Sequence, residues 1–170
     1  AFLTQRWVRA VIAGTEEAAQ PLLLEAEAVL KETLASKPDA FEPYVQMAIL
    51  YKTAKRHENV VNICEQRIRK GMSRKGVEAT QNRIAMFTLM IYASESCVAL
   101  GMKAGEADDK AARESWLTKA EQYVADAKGE SATHPRILSQ AGRVKLARGL
   151  DREALADLRR APESPTILRV

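Results

Sequence analysis

Two histidines, two cysteines and several acidic pairs are the side chains with which this chain could hold a metal or move a proton. His57 and His134 lie far apart, and neither has a second His, a Cys or a carboxylate at zinc-ligand spacing. Both fall at expected helix ends, where a histidine on the surface or at a cap needs no catalytic role. Gly101 and Gly105 lack the further glycine and the lysine that a phosphate-cradling loop requires. Glu16-Glu17 and Asp108-Asp109 read as helix-start and loop charges, since carboxylates there favour the helix dipole. Cys64 and Cys97 sit at apolar positions, which predicts buried free thiols rather than a disulfide. No pattern for a catalytic centre, a metal or a cofactor emerges, and the chain is expected not to be an enzyme.

The remaining chemistry is electrostatic. Arg67, Arg69, Lys70, Arg74 and Lys75 form a basic run over 67–75 that could hold phosphates or an acidic peptide. No aromatic side chains are interleaved to stack on bases, and cations at a helix C-terminus are favoured by the dipole alone. The whole chain carries a net charge of +4, unevenly spread: residues 41–76 hold eight Lys/Arg against three acids, whereas 77–130 hold six against nine. Alternating zones suit a protein surface better than a nucleic-acid track, so nucleic acid is the less favoured partner.

The elements that carry these residues are helical throughout. Aromatic residues are few, and most of the six prolines and eight glycines fall between periodic segments. A first helix is expected over 3–13. Thr15 then caps a second that runs to about Ser36, with Pro21 near its start or interrupting it. FEPYVQMAILYKTAKRHENVVNICEQRIRKG reads as two helices, with Pro43 in the first turn of one and Gly71 as the stop of the other. A long helix from about Val77 is expected to end at Gly101. The stretch MKAGEADDKAARES then reads as an insertion, roughly 102–115, with a loop at its Gly-containing start and its Ala-rich end prolonging the next helix toward Asp108. The most apolar window, Ile84 to Ala93, is short of the roughly 20 residues of a membrane helix, so no span is expected and the chain should be soluble. The chain begins without Met and inside an amphipathic pattern, which suggests a piece of a longer protein.

The last helical stretch, AGRVKLARGLDREALADLRRA, places Ala141-Gly142, Gly149, Ala154, Leu158 and Ala161 where two short helices must approach closely across a turn. These positions resemble a tetratricopeptide (TPR) repeat. Tyr44, Met47, Ala48 and Tyr51, followed by Val60, Cys64 and Ile68, resemble a second unit in which Val60 replaces the usual alanine. Ala120, Val124 and Ala127, and in the first unit Ala26, Leu30 and Thr33, match second helices only. The resemblance implies an all-α, right-handed α-solenoid of antiparallel helix pairs, one domain over 1–170 with units at about 3–38, 41–72, 77–135 and 135–161.

The resemblance also implies a function. First helices of TPR units line a concave groove that takes an extended peptide or a partner helix. Carried over by position, Gln46, Ile49, Lys52 and Thr53 line it from the second unit, Tyr92, Glu95 and Ala99 from the third, and Arg136, Gln140 and Arg143 from the fourth. A chaperone-type carboxylate clamp is not implied, because Val45 and Ile49 stand where lysine and asparagine are needed. The expected role is a non-catalytic protein–protein interaction module for a protein or peptide partner. The alternative is a scaffold that forms homo-oligomers through its repeat ends or the 102–115 insertion. Reduced cysteines and the lack of a leader make the cytoplasm the default compartment.

Overall fold

The computed structural model describes residues 16–71, 79–130 and 134–161, and the helix expected over 3–13 lies outside them. Seven helices account for nearly all of that chain: α1 (Glu16–Ser36), α2 (Phe41–Thr53), α3 (His57–Arg69), α4 (Ala79–Glu106), α5 (Lys110–Glu130), α6 (Pro135–Ala147) and α7 (Asp151–Arg160). No strand occurs among the described residues, and the fold is all-α. Two compact units meet inside α4, one ending at Leu89 and the other beginning at Met90.

In the first unit, Leu23, Ala26 and Leu30 form the buried stripe of α1, at spacings of three and four residues. α2 is buried along Tyr44, Met47, Ala48 and Tyr51, and α3 along Val60, Val61 and Cys64. Pro21 lies within α1. Polar ties fix the helices. Glu27 on α1 accepts hydrogen bonds from Tyr51 and Arg56, both at 3.1 Å, and pairs with Lys31 at 2.7 Å. The Lys31 bond foremost, with Tyr51 and Arg56 behind it, holds the Glu27 carboxyl below its ordinary pKa against the opposing effect of burial.

The second unit holds α5, α6, α7 and the larger part of α4. Its buried polar centre is a chain of two bonds: Gln140 donates to Ser94 Oγ at 3.0 Å, and Ser94 Oγ donates to the Ala120 carbonyl at 3.0 Å. One path thus ties α6 to α4 and α4 to α5. Each polar group is satisfied, so burial carries no unpaired cost.

Three turns share one backbone geometry. Lys55, Asp108 and Gly149 are the left-handed residues, at φ of 55°, 55° and 80°. The following N–H of Arg56, Asp109 or Leu150 returns to a carbonyl five residues back, at 2.9 Å in every case. Such a cap satisfies the free carbonyls at a helix end and reverses the chain. A small residue stands seven positions before each turn centre: Ala48, Gly101 and Gly142. A Cβ on Gly101 would meet Leu117 Cγ and Cδ2 at 3.1 Å, and one on Gly142 would meet Leu158 Cγ at 2.6 Å. Leu117 and Leu158 each lie nine residues past their turn centres. The α4–α5 and α6–α7 pairs therefore cross in the same way.

This overturns two expectations for the third pair. Gly101 does not end a helix; it lies inside α4, where its missing side chain admits Leu117. The 102–115 stretch is not an inserted loop either, since 102–106 complete α4 and 110–115 begin α5. The extra length of this pair lies at the other ends of its two helices. Asp108 makes the turn, and Asp109 caps α5 by accepting from the Ala112 N–H at 2.9 Å.

α4 also corrects the reading of hydropathy. By length and composition alone, Thr80–Glu106 is long and apolar enough to cross a membrane, although no membrane helix was expected. Its helix runs on past the Ile84–Ala93 window, and the serines that interrupt the sequence cost little in mean hydropathy. More than half of its most apolar stretch is buried within the protein.

Candidate functional site

The basic run is largely committed to the fold. Arg67 is buried; its two terminal nitrogens donate to the carbonyls of Gly71 at 2.8 Å and Asp39 at 3.1 Å, while its guanidinium lies 3.5 Å from the Phe41 ring centre. Burial lowers its pKa from the ordinary value. Lys70 donates to the Pro38 carbonyl at 2.8 Å, and Arg69 pairs with Glu65 at 2.9 Å. Arg67 and Lys70 staple the 37–40 turn to the end of α3, while Arg69 is held within α3 by Glu65; all three cations are favoured by the carbonyl end of that helix. Arg74 and Lys75 lie outside the described residues. The histidines stand at helix starts: His57 opens α3, and His134 caps α6 by accepting from the Arg136 N–H at 3.2 Å. Cys64 and Cys97 are buried and not joined in a disulfide.

In the first unit, Gln46, Ile49, Lys52 and Thr53 are half-buried along one face of α2. Gln46 donates to Glu42 at 2.7 Å, and the Thr53 hydroxyl donates to the Ile49 carbonyl at 3.0 Å. Both contacts are local to α2 and leave the outer part of the face to solvent.

In the second unit, α4 and α6 lie side by side. Arg136 is exposed and its guanidinium sits 5.7 Å from the Tyr92 ring centre, a cation–π distance. Glu95 and Ala99 follow on α4, both half-buried, and Arg143 follows on α6, exposed. Gln140 departs from the expectation. It is 2% exposed, and its amide serves Ser94 inside the protein rather than a surface. Its position on α6 points between the two helices, which is why the side chain closes their seam.

Further along the same two helices is a cleft of about 510 Å³ whose walls include Met102, Gly105 and Glu106 of α4 and Leu146 and Ala147 of α6, with Arg113 at its side. Met102 and Leu146 are large apolar side chains left 47% and 45% exposed. Sequence reasoning missed these residues because Gly101 was read as a helix end. Counted from the small residue of each pair, Met102, Gly105 and Glu106 on α4 and Arg143, Leu146 and Ala147 on α6 correspond to Ile49, Lys52 and Thr53 on α2. The equal seven-residue interval to Asp108 was the signal available.

Ionic contacts hold this end of α6. Arg148 pairs with Glu114 at 2.7 Å and Glu121 at 2.5 Å, and Arg113 donates to the Ala147 carbonyl at 2.5 Å. Lys145 pairs with Asp157 of α7 at 2.9 Å, a hydrogen bond that raises the ammonium pKa. Arg136 and Arg143, in contrast, make no ion pair among the described residues, and Arg148 and Lys145 are spent on the fold.

No family model, no curated protein and no solved structure matches the chain.

Proposed function

We propose that this chain is a TPR-like helical-repeat module, a right-handed α-solenoid of antiparallel helix pairs, which binds a segment of a partner protein without catalysing a reaction. The observation that carries the reading is the threefold recurrence of one pair geometry, with Ala48, Gly101 and Gly142 at the same place before the turns at Lys55, Asp108 and Gly149. Repetition of a helix pair leaves a like-placed face on each first helix, and those faces are the natural contact surface of a repeat array. In the first unit that face carries Gln46, Ile49, Lys52 and Thr53 on α2. In the second unit it carries Tyr92, Glu95, Arg136 and Arg143 on α4 and α6, with Met102 and Leu146 added. Such a face is preformed, so a segment binds without the module having to order loops of its own.

Self-assembly through an inserted loop at 102–115 has no loop to use. The test is affinity capture from the source cells with this chain as bait, beside a Gln46→Ala, Arg143→Glu variant of unchanged helicity and melting. A protein retained by the wild type and lost by the variant is the expected result. The same proteins retained by both would reject this face.

A further inference from the structure

Between α4 and α6 the chemistry changes along the seam, from cationic and aromatic at Tyr92, Arg136 and Arg143 to apolar at Met102 and Leu146. Residues 134–161 carry seven Lys/Arg against three acids. Lys145 and Arg148 are neutralised by acids within the unit, whereas Arg136 and Arg143 are both exposed and have no acidic partner among the described residues. These two arginines lie seven residues apart on one helix, which sets them two turns and about 10 Å apart on one side. Three residues beyond Arg143, Leu146 opens on the cleft.

We propose that the α4–α6 seam of this module binds an extended acidic peptide: a carboxylate side chain engaged by Arg136 and Arg143, and a bulky apolar side chain about three residues away seated against Met102 and Leu146. The inference rests on the interaction-module reading and adds the ligand's chemistry. Charge complementarity selects the occupant. Two guanidiniums without an ion pair among the described residues present fork-shaped donors suited to carboxylates. Leu146 lies three residues beyond Arg143 and ten beyond Arg136, roughly 5 and 15 Å along the helix axis, so three residues of extended chain, about 10 Å, reach from a carboxylate held between the arginines to the cleft. At the other end Glu106 and Asp108 are balanced by Lys110 and Arg113 around the cleft, so the exposed side chains of Met102 and Leu146 set its preference, and the motif has one acidic end and one apolar end.

Panning an unbiased display library of twelve-residue peptides against the whole chain tests this, with Arg136→Gln, Arg143→Gln and Met102→Gln, Leu146→Gln double variants alongside. All four positions changed are exposed, and thermal melting verifies that each variant is folded. The expected result is enrichment of peptides that pair Asp or Glu with a large apolar residue about three positions away. Synthetic copies should lose affinity roughly 10-fold or more with the arginine variant, and the second variant should relax the choice of apolar residue. Enrichment of neutral peptides, unaffected by the arginine changes, would overturn the acidic motif and leave the module reading standing. No enrichment would count against both. Binding of a single-stranded RNA oligonucleotide that displaces the selected peptide and needs the same arginines would overturn the peptide assignment in favour of nucleic acid.

Discussion

Replacing Gly142 by leucine tests the helix crossing on which the repeat geometry depends. A Cβ there would stand 2.6 Å from Leu158 Cγ, 2.8 Å from its Cδ2 and 3.2 Å from the Ala154 carbonyl oxygen. Leu158 is half-buried and can turn partly aside. The carbonyl is backbone of α7 and cannot move without the helix. Leucine adds three more carbons where the first has no room, so α6 and α7 must separate. Overpacking of this kind costs about 3 kcal/mol at the upper end of the usual range. Loss of a mid-helix glycine returns about 1 kcal/mol of helix propensity. The net expectation is a loss of about 2 kcal/mol. For a unit of some 80 residues that lowers the melting temperature by about 8–16 °C, read by far-ultraviolet circular dichroism during heating and in urea. Gly129→Ala on α5 is the paired control, because nothing lies within 4 Å of its Cβ position; it should be neutral or stabilising by up to about 1 kcal/mol. A Gly142→Leu protein that melts within a degree or two of the wild type would refute the crossing.

Arg67→Ala leaves the Gly71 and Asp39 carbonyls without their donor and a void over Phe41; urea denaturation should show a loss of about 2–4 kcal/mol, with Arg67→Lys intermediate because it cannot reproduce the fork. Glu27 has a depressed pKa in the folded state, so its contribution is present above the ordinary carboxylate pKa of 4.5 and is lost as pH falls through the lower folded value. The stability gap between wild type and Glu27→Gln should therefore shrink in acid below about pH 4.5, and a gap that is constant with pH would contradict the tie to Lys31, Tyr51 and Arg56. Arg148→Ala should destabilise the second unit by about 1 kcal/mol at low salt and by less at high salt, measured as the salt dependence of the urea midpoint. Gln140→Ala removes the bond to Ser94 and should cost about 1–2 kcal/mol; its effect on partner binding should follow that loss of stability, unlike Arg143→Gln, which should alter binding alone.

Residue type and interval carried the α6–α7 pair openly. Gly142 faces a close approach of Leu158 and the Ala154 backbone, Ala141 and Ala154 are buried, and Gly149 takes a positive φ that glycine adopts without strain. The α2–α3 pair was legible from its buried stripe even though Lys55, a poor left-handed residue, makes its turn. The α4–α5 pair was misread because one residue type serves two opposite purposes. Glycine ends helices when it takes a positive φ, and it sits inside them when a neighbour needs its space; Gly101 does the second, while Asp108 does the first. That error displaced the face of α4 by several residues and hid Met102 and Gly105. Gln140 was misplaced for a different reason: a periodic pattern assigns it to a seam but does not say whether the seam closes over it, and the hydrogen bond to Ser94 decides that. The basic run shows the same limit, since the reach of Arg67 back to Asp39 is tertiary.

Site-specific photocrosslinking tests the central claim most directly. Benzoylphenylalanine is introduced at Ala99, on the α4 side of the seam and not one of the side chains proposed to hold the ligand, and separately at Arg152, exposed on α7, and each protein, its melting checked, is irradiated in lysate of the source cells. The account predicts an adduct with one partner from position 99 and none with that partner from position 152. Adducts of equal yield at both positions, or at 152 alone, would contradict binding on the face of the first helices.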